Sequence, residues 1–111
     1  MKPSEAMLKG FEMAGERQCM NNFFEGSATK PTAVCALAAI TLAMDGTADY
    51  WAACADTALE LNRMNADLDD RFDDDNLIAN LNNGWNRHRR ESGESPMSIP
   101  DIAGILAAEG Y

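Results

Sequence analysis

Apolar positions recur at three- to four-residue spacing along most of the chain. That periodicity predicts helices and no strands. A first helix is expected from Pro3–Ser4, where Ser4 can accept from the free N–H groups of the first turn. Met7, Phe11, Ala14, Gln18 and Cys19 form its apolar stripe. Gly10 and Gly15 weaken it by about 1 kcal/mol each relative to Ala, unless a neighbour packs closely there. Residues 26–31, Gly-Ser-Ala-Thr-Lys-Pro, read as a loop. A second helix is expected from Pro31 or Thr32 to Met44. It is apolar all round and therefore central, and Gly46 is placed for a left-handed cap.

A third helix is expected from Thr47 or Ala48 to the mid-60s, with Trp51, Cys54, Ala55, Ala58 and Asn62 on one stripe. A fourth should begin near Asp75–Asn76 and carry Leu77, Ile78, Leu81, Trp85 and His88. The last has the clearest start, because Ser98-Ile99-Pro100-Asp101 sets a capping serine three residues before an acid. Ile102, Ile105 and Leu106 form its inner face. The expected fold is a compact all-α single domain, residues 1–111, of four to five helices around a central apolar helix. Ala33, Val34, Leu37, Ile40, Trp51, Leu77, Leu81, Ile102, Ile105 and Leu106 are the expected core.

Composition fits that picture. The chain of 111 residues is 46% apolar and 24% charged, enough for one modest core. The longest apolar stretch, residues 33–44, spans about 18 Å as a helix, short of the roughly 30 Å of a bilayer core. The opening Met1-Lys2-Pro3-Ser4-Glu5 lacks the apolar segment of a secretory signal, so a cytoplasmic location is expected. Cys19, Cys35 and Cys54 are an odd number without a close pair, which predicts reduced, buried thiols rather than a disulfide scaffold.

Charge changes the picture more. Residues 45–75 hold ten acids against Arg63 and Arg71, a net −8 within a total of −9. A field of one sign over one segment repels nucleic acid and attracts cationic surfaces.

The chemistry-bearing residues form no catalytic or metal pattern. An EF-hand loop starting at Asp67 would need oxygen ligands and a central glycine, but its fifth, sixth and twelfth positions are Arg71, Phe72 and Ile78. Cys19, Cys35, Cys54 and His88 have zinc-ligand chemistry without the close pairs of structural zinc sites. Nothing places the single histidine beside a thiol, and no Gly-rich phosphate loop occurs. No enzyme activity, metal or cofactor is expected.

Several stretches resemble a family of short all-helical proteins of bacteria and their phages. The residues are Lys2-Pro3-Ser4-Glu5, Gly15-Glu16-Arg17-Gln18, and Cys35-Ala36-Leu37-Ala38-Ala39-Ile40, which is similar to a Cys-Ala-Leu-Gly-Ala core helix with Ala38 in place of glycine. Trp85-Asn86 resembles a Trp-Asn-Asp element, with Arg87 where the acid would stand. The resemblance touches about half the chain and leaves residues 45–75 unexplained. It implies an all-α fold and a bacterial or phage origin, and brings no activity or catalytic residue.

The expected function is therefore a non-enzymatic interaction protein whose acidic face meets a basic protein surface. A nucleic-acid mimic is one concrete version, with Asp67, Asp69, Asp70, Asp73 and Asp74 standing where phosphates otherwise bind. The competing expectation is a small nucleic-acid-binding regulator using Arg87, Arg89 and Arg90. It would be a dimer, with Trp85, Ile99, Ile102 and Ile105 between subunits. A further alternative gives the acidic face no role beyond solubility.

Overall fold

A computed structural model describes residues 1–84 and 96–111. Helix α1 spans Pro3–Met13, and α2 spans Ala36–Asp45. Between them lie two short strands, β1 (Phe24–Gly26) and β2 (Pro31–Val34). A 3-10 turn at Tyr50–Ala52 precedes α3 (Ala55–Phe72), and α4 (Leu77–Asn83) and α5 (Ile99–Ala108) complete the described elements. The architecture is mostly helical and compact, with a radius of gyration of 12.8 Å.

The expectation of a purely helical chain is corrected by β1 and β2, which pair antiparallel with Phe24 opposite Val34 and Glu25 opposite Ala33. Pro31 has no N–H, and Thr32 and Val34 are β-branched, so this stretch gains little from a helix. Its backbone is used on both sides instead. Val34 N donates to Arg17 O and Cys19 N donates to Val34 O, each at 3.0 Å. The second helix therefore starts at Ala36, after Cys35, whose Sγ accepts from Ala38 N at 3.4 Å.

Helix α2 is central, as its sequence predicts. Ala36, Leu37, Ala38, Ala39, Ile40, Thr41 and Leu42 are all buried, and Gly46 caps it in the left-handed region at φ 73°. Helix α1 lies against it through Ala6, Met7 and Gly10. A Cβ on Gly10 would stand 1.8 Å from the Ala39 carbonyl oxygen, so this glycine permits the close approach of the two helices.

Helix α1 ends at Met13, earlier than its apolar stripe suggests, and Ser4 does not cap it. Ser4 is buried, and its N–H and hydroxyl both donate to Tyr111 O, at 3.1 and 3.0 Å. Helix α5 starts as expected, with Ser98 Oγ accepting from Asp101 N at 3.3 Å.

Most of the expected core is buried, namely Ala33, Val34, Leu37, Ile40, Leu77, Leu81, Ile102 and Leu106. Ile105 is only half-buried, and Trp51 is 79% exposed. One helix from residue 47 to the mid-60s would turn Trp51 toward the core. The chain instead makes a 3-10 turn capped by Asp49 Oδ1 and restarts as a helix after Cys54, which changes the facing of every earlier residue. Cys54 is likewise exposed, correcting the expectation of three buried thiols, while Cys19 and Cys35 are buried. Burial pushes the Cys19 thiol up to about 11, with Cys35 and Glu25 adding to the shift, and raises Cys35 as well. Among the described residues no helix is long and apolar enough to cross a membrane.

Candidate functional site

Two surfaces carry the chemistry worth weighing. The first is the acidic segment. None of its ten carboxylates is buried, and Asp56, Glu60, Asp70, Asp73 and Asp75 are exposed. Helix α3 turns Thr57, Leu61, Met64 and Leu68 inward at helical spacing, which leaves its charged positions outward.

The five aspartates singled out from the sequence share one corner of the fold, where α3 runs into α4, but their surroundings differ. Asp67 pairs with Arg71, at 2.8 Å from Oδ2 to Nη2, and accepts from the Tyr111 hydroxyl. Asp69 Oδ1 accepts from Leu77 N at 2.8 Å and so satisfies the first turn of α4. Asp74 Oδ1 accepts from Asn80 Nδ2 at 2.9 Å. Asp73 ends α3 in the left-handed region at φ 50°. Asp70 points to solvent on α3. Asp69 and Asp74 thus hold the α3–α4 corner together, and Asp67 ties α3 to Tyr111, duties that a charge count does not reveal.

Asp45 does the same at the other end of α3. It accepts from Cys54 N and Thr57 Oγ1, each at 2.9 Å, and from Cys54 Sγ at 3.4 Å. Desolvation opposes ionisation here, but these hydrogen bonds outweigh it and hold the carboxyl below its ordinary range.

The second surface is a cleft of about 710 Å³, which sequence reasoning missed. Its floor is Cys35, Ala36 and Leu37 at the start of α2. One wall is aromatic. Phe23 and Tyr50 stack with centroids 5.4 Å apart and planes 10° from parallel, and Trp51 stands nearly perpendicular to both. The remaining lining is dominated by asparagines from the loop before β1, from α3, from the α3–α4 connection and from α4.

Two kinds of asparagine meet there. Asn82 is buried and saturated. Its Oδ1 accepts from Gln18 Nε2 and Ala36 N, each at 3.0 Å, and its Nδ2 donates to Cys19 O at 2.9 Å and Asn83 Oδ1 at 3.1 Å. Gln18 extends this hub to the last helix, donating to Met97 O and accepting from Ile99 N. Asn22, Asn62 and Asn76 are exposed, and among the described residues their side-chain amides have no hydrogen-bond partner. The available sequence signal was the repeated asparagine, in Asn21-Asn22, Asn82-Asn83 and, one helical turn apart, Asn62 and Asn65.

Trp85, Arg87, His88, Arg89 and Arg90 lie outside the described residues. Of the residues expected between subunits, Ile99 and Ile102 are buried in this chain's own core and Ile105 is half-buried. Among the described residues no group of three or more His, Cys, Asp or Glu is placed to hold a metal ion. No protein-family model, curated protein or solved structure matches this chain.

Proposed function

We propose that this is a non-enzymatic interaction protein that docks on a basic protein surface through the outer side of α3 and the α3–α4 corner. The observation that carries the reading is that ten carboxylates opposed by two arginines fall within residues 45–75, with none of them buried. Those that do have partners are held in place, so the acidic face needs little ordering when a partner arrives. Exposed Leu59 and Phe72 supply apolar points beside the charge. A nucleic-acid mimic encoded by a phage, covering the lysines and arginines of a host protein, is the concrete version of this reading.

The test is a pull-down from bacterial lysate with two charge-matched variants. One replaces Asp56, Glu60, Asp70 and Asp75 with their amides, and the other replaces Glu5, Glu12, Glu16 and Glu25. The expected partner is rich in Lys and Arg, elutes as salt rises from about 50 to about 500 mM, and escapes the first variant only. Equal capture by the wild type and both variants would show that this face serves solubility alone.

A further inference from the structure

We infer that the cleft between the aromatic wall and the asparagines is a binding site for an uncharged saccharide. This goes beyond the acidic face and uses none of its carboxylates. The first argument is charge. In a chain of net charge −9, no Asp, Glu, Lys or Arg is among the described residues that line the cleft. Helix α3 is dense in charge, yet the residues it contributes here are Asn62 and Asn65. A phosphate or carboxylate on the ligand would find no cation among those residues and would face the repulsion of the whole chain. A cationic ligand would find no anion among them either.

The second argument is the pairing of groups. A carboxamide offers two donors and an acceptor with two lone pairs, matching hydroxyls that both donate and accept. The unpartnered amides of Asn22, Asn62 and Asn76 provide that capacity on several sides of one volume. The aliphatic C–H face of a sugar ring needs a flat apolar surface, and Trp51 supplies one at the rim. A tryptophan 79% exposed is an unusual use of that side chain, since aromatic residues ordinarily bury most of their surface.

The third argument is preorganisation. Asp49 Oδ1 accepts from Trp51 N at 3.1 Å, and Asp49 N donates to Thr47 Oγ1 at 3.1 Å, so the backbone under Trp51 is fixed. Tyr50 is held by its stack on Phe23 and by a 3.5 Å hydrogen bond from Asn65 Nδ2. The volume lies in the range of small-molecule sites and has room for a short oligosaccharide.

A panel of neutral oligosaccharides, followed by calorimetric titration of the full chain with the best binder, tests the proposal. Affinity should fall about tenfold in Trp51→Ala and several-fold in Asn62→Ala, because anchor side chains dominate such sites. Both residues are exposed, so Asn62→Ala should leave the thermal midpoint unchanged. Trp51→Ala, which loses only its edge contacts with Phe23 and Tyr50, should stay folded at the titration temperature, which separates lost binding from lost folding. Affinity should also be unchanged between about 50 and about 500 mM salt, unlike any binding at the acidic face. The proposal is overturned by absence of binding across the panel, by full affinity in Trp51→Ala, or by uncharged nucleosides binding in place of sugars.

Discussion

Helices α2 and α3 come from the same short chain and use opposite means of staying in place. Helix α2 buries seven successive residues, and its neighbours approach through alanine and glycine. Helix α3 is longer, at 18 residues, yet buries only Thr57, Leu61, Met64 and Leu68. What α3 lacks in burial it replaces at its ends. Asp45 ties its first turn to the end of α2, and Asp67, Arg71, Glu109 and Tyr111 tie its last turns to the end of α5. The contrast assigns roles. A helix packed along most of its length tolerates little change and meets the cleft at its start alone, through Ala36 and Leu37 among the described residues. One held along a narrow stripe and at its termini keeps most of its surface for binding.

The sharpest way to break the packed side of this contrast is Gly10→Ala. The new methyl would meet Ala39 backbone atoms at 1.8, 2.5 and 2.7 Å, and backbone cannot turn aside as a side chain can. Overpacking usually costs roughly 1–3 kcal/mol. Here α1 has to move off α2, so a loss of about 3 kcal/mol or a failure to fold is expected, read from denaturant unfolding. An unchanged midpoint would mean that the two helices slide freely.

Next in size is Asn82→Ala, which attacks the polar hub at the start of α2. It leaves Ala36 N, Cys19 O and one Gln18 donor contact without their partner in a buried setting. Each unsatisfied buried group costs about 1–3 kcal/mol, and water entering from the cleft offsets part of it. A net loss of about 2–3 kcal/mol is expected by thermal or chemical unfolding. A loss below about 0.5 kcal/mol would place Asn82 with surface substitutions and remove the hub.

The two helices were also unequally legible in the sequence. The central position of α2 follows from twelve residues with almost no polar side chain, and the Ser98 cap of α5 is a local signal. Residues 31–34 misled because Pro-Thr-Ala-Val continues the apolar run of α2, and periodicity cannot separate a short buried strand from the first turn of a buried helix. The partners that decide it, Arg17, Cys19 and Phe23, are far from it in sequence. Trp51 misled for a related reason, since a 3-10 turn and a fresh helix start replaced one continuous helix. The acidic segment was legible as charge, but not the duties of Asp67, Asp69 and Asp74, which depend on tertiary partners. The cleft was the least legible feature, because its asparagines come from four helical or loop segments that only the fold assembles.

The smallest expected effect lies on the α3 side, in the clasp around Tyr111. The Tyr111 hydroxyl donates to Asp67, and Arg71 Nη1 reaches Glu109 Oε2 at 3.0 Å while its guanidinium lies 5.9 Å from the Tyr111 ring centre. The hydrogen bond to Asp67 raises the Tyr111 hydroxyl above its ordinary value of 10.0, burial and the Asp67 charge add to this, and Arg71 opposes it. A raised value means that the folded state favours the neutral phenol. The stabilisation is therefore complete below about pH 10 and fades as pH rises through the folded value, where a phenolate would face Asp67. Tyr111→Phe should cost on the order of 0.5 kcal/mol near pH 7, since the clasp is largely solvent-exposed. That cost should shrink to nothing as pH climbs beyond 10. The raised thiol of Cys19 and the raised hydroxyl of Tyr50 titrate in the same alkaline range, but they are present in both proteins and cancel in the difference. Paired unfolding curves from pH 7 to pH 11 give that difference directly. A pH-independent difference would mean that the phenol is not bound to Asp67, and the C-terminal anchor of α3 would then rest on Arg71 alone.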